Sequence, residues 1–352
     1  MHSGLQQAFL QAWTGRSALA WALRPIAFFY GVLIALRRGL YHQQWLAIQR
    51  LPVPVVVVGN VLAGGAGKTP TVIGVVAHLQ AQDWQVGIVS RGYGRQGEAV
   101  QAVHADASPT EVGDEPLLLQ RRTGVPVYVG RQRAAAARAL LQDHPHTQII
   151  VCDDGMQHYA LYRDVEICVF DSRGAGNGWL LPAGPLREPW PPRALKAAGQ
   201  SHDNLLVLNT GPNAVPGFTA TRQLADHTVG ASGDVQPLTA LNAPDTHPVC
   251  AVAGIAQPEV FFAMLRAQGV LLAHTIALPD HYDFDSWSRN THEVYTLICT
   301  EKDAAKLWQH APEARAVPLV QTAPPDFYAA LDRCLQPHRP APVSSPHGHP
   351  TS

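Results

Sequence analysis

The sequence predicts an α/β fold built on a mainly parallel sheet, and three observations support this. From residue 53 to about residue 210, short apolar runs of strand type alternate with stretches of helical pattern, as in βαβ units. A glycine-rich loop joins the first strand-type run to the first helical stretch. After a polar interruption the alternation restarts near residue 249, which indicates a second, smaller α/β domain.

The first domain is expected to alternate strands and helices. The strands are short and mostly apolar, and the last helix is rich in Ala and Arg, which have high helix propensity. The expected strands are Pro54–Val58, Val86–Ser90, Val125–Val129, Gln148–Cys152, Val165–Phe170 and Asn204–Leu208. The expected helices are Thr69–Gln82, Asp114–Arg122 and Arg131–Asp143.

The second domain is expected to repeat the pattern on a smaller scale. Its expected strands are Val249–Ala253, Val270–Ala277, Tyr295–Cys299 and Val317–Gln321. Its expected helices are Pro258–Gln268, Asp303–Gln309 and Asp326–Cys334. The Gly/Pro/Asn-rich stretch at 210–218 and the polar segment after it predict a linker or a small β element between the domains.

These patterns predict five segments. Residues 1–45 form an N-terminal helical segment, 46–210 the nucleotide-binding domain, and 211–245 the linker or β element. Residues 246–336 form the smaller α/β domain, and the Pro-, His- and Ser-rich residues 337–352 form a disordered tail.

Composition narrows the function classes. The 352 residues are enough for two domains, and 46% apolar content supports two cores. A net charge of −1 provides no overall field for nucleic acid, so none is expected as a partner. The five cysteines have neither disulfide nor zinc spacing, and the N-terminus lacks a secretory signal. We therefore expect a cytoplasmic globular protein.

One segment has membrane character. Pro25–Leu36 is apolar and is flanked by Arg24 on one side and by Arg37 and Arg38 on the other. It is shorter than the roughly 20 apolar residues that a spanning helix needs. Two interpretations remain open, an interfacial or partly inserted helix and a buried core helix.

A phosphate-binding loop is predicted directly after the first strand. Its glycines allow backbone amides to wrap around phosphate oxygens, and the helix that follows adds its N-terminal dipole. Lys68 is expected to contact the β- and γ-phosphates and Thr69 to bind Mg²⁺. The predicted nucleotide-binding residues are Leu62, Ala63, Gly64, Gly65, Ala66, Gly67, Lys68 and Thr69.

The loop matches the strict P-loop pattern only in part, and the chain lacks the motifs of two related classes of P-loop protein. The strict GxxxxGK[ST] pattern would place a glycine at Leu62, so the match is to GGxGKT. The deviant loop of partitioning ATPases would need lysine at Ala63. A GTPase motif [NT]KxD would be approximated by Thr300–Asp303, but its lysine stands one place too late. These departures favour an ATP-dependent phosphotransferase.

Carboxylates follow one predicted strand and begin one predicted helix. Asp153 and Asp154 end an apolar strand, where a nucleotide site holds magnesium, although Asp154 would also suit a turn. Asp114 is either the N-cap of a helix, with Glu115 in its first turn, or a carboxylate that deprotonates an attacking hydroxyl. Local sequence around His281 favours a residue without a chemical role.

Several motifs together resemble one family, the tetraacyldisaccharide 4'-kinases of lipid A synthesis. They extend over roughly residues 20 to 305, in the family's order, and one departure is Met156, where the family usually has phenylalanine. The motifs are GGAGKTP, SRGYGR, GDEP, DDGMQH, LPAGPLREP, AGIAQPE, LPDHYDF and TEKD.

The resemblance implies a function and a location. The expected reaction is phosphorylation of the 4'-hydroxyl of a tetraacyldisaccharide 1-phosphate by ATP with Mg²⁺, giving lipid IVA at the cytoplasmic face of the bacterial inner membrane. The expected fold is a two-lobed P-loop enzyme with an N-terminal membrane-associating helix, which favours the membrane interpretation of Pro25–Leu36. The expected partners are the lipid A disaccharide precursor and the membrane surface, with no obligate protein partner.

The resemblance also implies residue roles. Asp114 is the expected catalytic base and His281 its partner from the second domain, so closure of the domains is expected during catalysis. Lys68 is the third catalytic residue, and the metal set is Thr69, Glu115, Asp153 and Asp154. The alternative function is a P-loop ATPase or GTPase switch that acts on a partner protein, and the departures at Ala63 and in Thr300–Asp303 argue against it.

Overall fold

The computed structural model describes residues 12–192, 204–243, 247–285, 287 and 294–339. The helices are α1 Ala18–His42, α2 Lys68–Ala81, α3 Pro109–Val112, α4 Asp114–Thr123, α5 Arg133–Asp143, α6 Pro258–Ala267, α7 Glu301–Leu307 and α8 Pro325–Leu335. The strands of the first sheet are β1 Val55–Gly59, β2 Val86–Ser90, β3 Gln101–Ala102, β4 Val127–Val129, β5 Ile149–Asp153, β6 Val165–Phe170, β7 Leu205–Asn209 and β8 Phe218–Thr219. The later strands are β9 Thr221–Leu224, β10 His227–Val229, β11 Val235–Pro237, β12 Val249–Ala253, β13 Leu272–Ala277, β14 Thr296–Thr300, β15 Arg315–Val317 and β16 Leu319–Thr322.

An eight-stranded sheet forms the first lobe. Its order is β3-β4-β2-β5-β1-β6-β7-β8, and apart from the edge strand β3 all neighbours are parallel. The four valines of β1 are fully buried because helices cover both faces of a parallel sheet. In the register of β1 with β5, Val58 lies opposite Asp153. The end of the first strand and the predicted metal carboxylate therefore meet at one edge of the sheet.

A six-stranded sheet forms the second lobe. Its order is β11-β10-β15-β14-β12-β13, in which β12 to β15 are parallel and β10 and β11 antiparallel. Phe262 of α6 and Ile298 of β14 are fully buried in one of its two core clusters. The predicted α/β class, with a mainly parallel sheet and a second smaller α/β unit, is confirmed.

The predicted strand Val317–Gln321 is wrong as a single element. The chain divides at Pro318, so that β15 joins the second sheet while β16 pairs with β9 in an antiparallel ladder. Proline cannot donate a ladder hydrogen bond, and the Pro318 carbonyl instead accepts one from the amide of Ala225. We call β9 and β16 the linker ladder, because both crossings between the lobes run through it.

The last helix returns to the first lobe. Phe327, Leu331 and Leu335 of α8 are buried in the same cluster as the β1 and β6 valines. This differs from the prediction that residues 246–336 make up the smaller domain, because an amphipathic helix packs wherever its apolar face finds a partner. Residues 336–338, which overlap the start of the disordered tail predicted from residue 337, form a 3-10 turn, and 340–352 lie outside the described residues.

The N-terminal helix is longer than the apolar run that predicted it. α1 has 25 residues and extends about 37 Å, and within the described ranges it alone has the length and composition to cross a membrane. Only Ala20 and Ala27 of the helix are buried. The Tyr30 hydroxyl donates to the Arg187 carbonyl at 3.1 Å, which fixes one face of α1 to the first lobe. The core-helix interpretation is therefore wrong.

Shortening one buried side chain of α8 tests where this helix packs. Phe327→Ala removes a fully buried ring that contacts Phe218 of the first sheet, so we expect it to lower the free energy of unfolding by about 3–5 kcal/mol. Urea unfolding measures the loss. Phe29→Ala, on the exposed side of α1, is the matched control and should change that energy by less than about 0.5 kcal/mol. Equal effects of the two substitutions would contradict the packing of α8.

Candidate active site

The phosphate loop has the backbone that the sequence predicts. Gly64 and Gly67 have φ of 88° and 81°, in the region that favours glycine. α2 begins at Lys68, so its first amides have no acceptor within the helix and point into the loop. The Asn60 amide donates to the Gly64 carbonyl, and the Thr71 hydroxyl donates to the Gly67 carbonyl. The strand end and the first turn of the helix together set the curve of the loop.

An arginine of the first lobe holds the outer side of the loop. Arg173 donates to the carbonyl of Ala63 at 3.2 Å and to that of Gly65 at 2.7 Å. Its own position is fixed by the carboxylate of Asp171, 2.7 Å away. Carbonyls that point outward to a guanidinium leave the amides pointing inward, which is the orientation that an anion requires.

Two predicted nucleotide-binding residues are engaged elsewhere. Leu62 is fully buried in the core and pairs with Leu186, and the Ala63 amide donates to the Pro185 carbonyl. The Ala63 amide is therefore not free to bind a phosphate in this arrangement, and the nucleotide-binding role of both residues stays a prediction.

A cleft of about 240 Å³ opens between the lobes beside the loop. The loop residues Gly65 to Pro70 line one wall, and Glu115 lies beside them. The opposite wall is largely apolar and comes from the linker ladder and the second lobe. Its side chains include Leu224, Ile255, Val260, Phe261, Met264 and Leu319. A polar wall facing an apolar one suits a ligand with a charged end and a flat apolar end.

The predicted metal-binding carboxylates lie at the edge of the first sheet where β1 and β5 end. Asp153 is almost completely buried, and its Oδ2 accepts a hydrogen bond of 3.0 Å from Ser90 while its Oδ1 has no hydrogen-bond partner among the described residues. Burial and then the charges of Glu115 and Asp154 raise the pKa of Asp153. Lys68 lies 3.5 Å from Asp154. Asp153 itself has no cation within ion-pair distance among the described residues, and Lys68 is paired with its neighbour Asp154.

Asp114 is not the N-cap of its helix. Gly113 occupies that position, and Asp114 in the first turn accepts from Lys306 Nζ at 2.7 Å and lies 3.2 Å from His281 Nδ1. Burial raises the pKa of Asp114, but these two hydrogen bonds outweigh it and hold the pKa below its ordinary value. Both partners come from the second lobe, so the contact crosses between the lobes.

A second lysine decides which nitrogen of His281 carries the proton. Lys302 Nζ lies 3.2 Å from His281 Nε2, 3.1 Å from Asp280 and 3.6 Å from Glu115. Because an ammonium group only donates, Nε2 must accept, and the proton of the ring then sits on Nδ1, facing Asp114. Burial lowers the pKa of Lys302, but Glu115 and Asp280 outweigh it and raise the pKa. Lys302 therefore stays charged and holds this arrangement.

Two residues of the candidate active site have backbone conformations that are unfavourable for residues other than glycine. Asp154 and His281 have φ of 47° and 62°, although neither is glycine. Such conformations cost about 1–3 kcal/mol and occur most often at functional sites, where the surrounding structure enforces them. His281 is held by its amide, which donates to the Gly254 carbonyl, and Tyr93 packs against its ring at 5.1 Å.

A second, polar cavity of about 900 Å³ lies between α1 and the first lobe. Five arginines line it, namely Arg37, Arg91, Arg131, Arg133 and Arg187. Asp154 also lines it, 3.8 Å from Arg187, so it adjoins the phosphate loop through the Lys68–Asp154 pair. Burial, then Arg133 and Arg163, lower the pKa of His158 in this cavity to about 4, which keeps the ring neutral.

Sequence reasoning missed several of these residues. The sequence contains Lys302 within the TEKD motif but assigns it no role, and it gives no signal for Lys306, although their spacing of four places both on one face of α7. Arg173 and Arg222 gave no motif signal. No group of three or more His, Cys, Asp or Glu side chains poised to share a metal ion is found in the part of the chain that the structure describes.

Known proteins share this architecture along nearly the whole chain. The sequence is 54% identical over 336 residues to a tetraacyldisaccharide 4'-kinase of Acidovorax ebreus, covering 95% of this chain and 96% of the relative. It is 51% identical to that of Polaromonas naphthalenivorans, covering 99% and 100%. The crystal structure of the "apo" form of LpxK from Aquifex aeolicus in complex with ATP is 27% identical, covers 91% of this chain and 99% of that one, and superposes with a TM-score of 0.74.

The family described as tetraacyldisaccharide-1-P 4'-kinase matches residues 19–336. That range includes the phosphate loop, both lobes, α8 and nearly all of α1. The chain therefore belongs to the tetraacyldisaccharide-1-P 4'-kinase family.

Proposed function

We propose that this protein transfers the γ-phosphate of ATP to the 4'-hydroxyl of a tetraacyldisaccharide 1-phosphate, forming lipid IVA at the cytoplasmic face of the bacterial inner membrane. One observation supports it most: a phosphate loop, a buried carboxylate held by two donors, and an arginine-lined cavity beside an apolar helix adjoin one another. A nucleotide-switch protein needs the phosphate loop, but it needs neither the carboxylate held by two donors nor the arginine-lined cavity.

Lys68 and the first amides of α2 are the proposed γ-phosphate ligands. Together with the dipole of α2 they stabilise negative charge as it develops on the transferred group. Lys68 is held 3.5 Å from Asp154, so its ammonium is positioned before the substrate arrives. Such preorganised cations and amides are the main source of catalysis in phosphoryl transfer.

Asp114 is the proposed catalytic base. His281 and Lys306 both bond its Oδ2, which leaves Oδ1 for the hydroxyl that attacks phosphorus. The two donors fix the rotamer of the carboxylate and keep it ionised. Through its hydrogen bond, His281 also tunes the Asp114 carboxylate as it takes up the proton. Because these donors belong to the second lobe, closure of the lobes completes the base.

Magnesium is proposed as the cofactor, and the residues fit it. The proposal is supported by the Oδ1 of Asp153, which has no hydrogen-bond partner among the described residues, and by the charges of Glu115 and Asp154 beside it, which with burial raise the pKa of Asp153. Thr69, Glu115, Asp153 and Asp154 are the proposed ligands; the described residues form no ready group of three acids, and an ion held mainly by nucleotide phosphates and water needs only one or two of these carboxylates. When bound, Mg²⁺ neutralises charge on the phosphates of ATP.

The polar cavity is the proposed site of the disaccharide phosphate. Arg37 and Arg187 bring positive charge from α1 and from the loop beside Asp154. Arginine binds phosphate through two parallel hydrogen bonds, so this lining suits a sugar 1-phosphate. The exposed apolar residues of α1 would then contact the acyl chains and the membrane surface. They include Leu19, Trp21, Ile26, Phe28, Phe29, Val32, Leu33 and Leu36.

The central experiment measures transfer of labelled γ-phosphate from ATP to a tetraacyldisaccharide 1-phosphate. Lys68→Ala should lower kcat on the order of 10²–10³-fold by removing a charge-stabilising donor. Asp114→Ala should lower it on the order of 10²–10⁴-fold by removing the base, while ATP binding persists. Arg138→Ala, on the exposed side of α5, is the control and should retain wild-type transfer. Full activity of both site variants would contradict the mechanism.

The pH profile tests the hold on Asp114. A base with a depressed pKa is ionised at neutral pH and loses activity only as the pH falls toward that pKa. Lys306→Met removes one donor while burial remains, so the pKa of Asp114 should rise. The acid limb of kcat/KM should then move to higher pH in the variant, and Lys306→Arg should restore part of the shift. An unmoved limb in Lys306→Met would show that this lysine does not tune the base.

Vesicle binding tests the role of α1. The double variant Phe29→Asp and Leu33→Asp replaces two outward apolar side chains, each of which contributes about 1.5–3 kcal/mol when buried in lipid. We expect the partition coefficient onto anionic phospholipid vesicles, measured by sedimentation, to fall at least roughly 10²-fold, with ATP binding unchanged. Asp substitution at Val235, exposed in the second lobe, is the control. Undiminished sedimentation of the double variant would remove α1 from the membrane contact.

A further inference from the structure

The linker ladder places an arginine against the phosphate loop. Arg222 of β9 lies opposite Gln321 of β16, and its Nε donates to the Gln321 side-chain oxygen at 2.9 Å. The Gln321 amide in turn donates to Thr71 in the first turn of α2 at 2.7 Å, and Thr71 donates to the Gly67 carbonyl. A chain of hydrogen bonds thus runs from Arg222 to the loop and fixes one edge of the guanidinium.

The other edge of this guanidinium has no acceptor. Nη2 of Arg222 is inaccessible to water and makes no hydrogen bond to any residue that the structure describes. Burial lowers the pKa of Arg222 to about 10, and the charge of Asp171 offsets only part of that effect. A buried, charged donor without a partner is costly, and proteins retain one where a ligand completes it.

The unpaired nitrogen points to the ligand's position. A Cβ added to Gly67 would lie 1.3 Å from Nη2 and 2.5 Å from the central carbon of Arg222, so the guanidinium lies directly against the Gly67 backbone. Arg222 lines the same cleft as Lys68, Thr69 and the apolar wall. Nη2 is covered by the Gly67 backbone as the loop stands here, so an anion bound by the loop amides would meet this donor once the guanidinium swings off Gly67 into the cleft that Arg222 also lines.

We propose that Arg222 is a nucleotide ligand that donates through Nη2 to a phosphate oxygen of the bound polyphosphate. The inference rests on the proposed ATP-dependent function and adds a residue to it from the linker ladder instead of from either sheet. A guanidinium suits this position better than an ammonium because its planar fork bonds Gln321 and a phosphate oxygen at the same time. The nucleotide charge is thereby connected to the segment that joins the lobes.

The test compares three ligands on the purified full chain. Calorimetry gives the affinities of ATP and ADP without lipid acceptor, and adenosine is measured by competition. Arg222→Met should weaken ATP and ADP about 10- to 100-fold, the range for a charge-assisted hydrogen bond, and leave adenosine unchanged. Arg222→Lys should fall between Met and wild type, and it keeps the stem and charge should the Met variant fail to fold. Arg138→Met is the control arginine and should bind all three ligands as wild type does.

Thermal stability separates a ligand from a structural support. Because Met removes an uncompensated buried charge, the nucleotide-free Tm of Arg222→Met should equal or exceed that of the wild type, while the rise in Tm on adding ADP should shrink. A lower Tm with equal losses for all three ligands would overturn the inference, as would wild-type affinity of both Arg222 variants for ADP. Wild-type protein that binds neither ATP nor ADP would overturn the proposed function itself, which these variants do not decide.

Discussion

The parallel pairing of β1 with β5 is the constraint on which the site depends. It sets Val58 opposite Asp153, so that the strand leading into the phosphate loop and the strand leading into the acidic pair end side by side. The valines of β1 are buried on both faces of the sheet, which keeps this strand at the centre of the first lobe. Loop amides, Lys68 and the carboxylates consequently face one another without further adjustment.

Charge compensation between the lobes is the second organising feature. The first lobe contributes Asp114 and Glu115 from the start of α4, and the second contributes Lys302 and Lys306 from one face of α7. Each carboxylate alone would be costly at its burial, and each lysine likewise, so the lobes stabilise one another at this contact. The same contact orients His281 toward Asp114, which ties the proposed base to the relative position of the lobes.

The loop at residues 179–188 connects the apolar helix with the phosphate loop. Trp179 packs against Trp21 of α1 and the Arg187 carbonyl accepts from Tyr30, while the Arg187 amide donates to the Val61 carbonyl. One short segment thus contacts both the helix proposed to meet the membrane and the strand end that opens the nucleotide site. The cavity proposed for the lipid acceptor and the strand end that leads into the phosphate loop therefore meet at this segment.

Sequence alone determined the features that depend on local order: the main parallel strands of both sheets, the glycine-rich loop, and the acids that follow or precede them. It determined the family through motifs in fixed order. It did not determine that Pro318 splits a strand between two sheets, that α8 returns to the first lobe, or that Leu62 and Ala63 are committed elsewhere, because each depends on a distant packing partner. Only the fold reveals a role for Lys302, Lys306 and Arg222, because it brings these side chains to Asp114, His281 and Gly67. Periodicity and motifs record which residues are neighbours along the chain, whereas burial and charge pairing, which decide their chemistry, are set by neighbours in space.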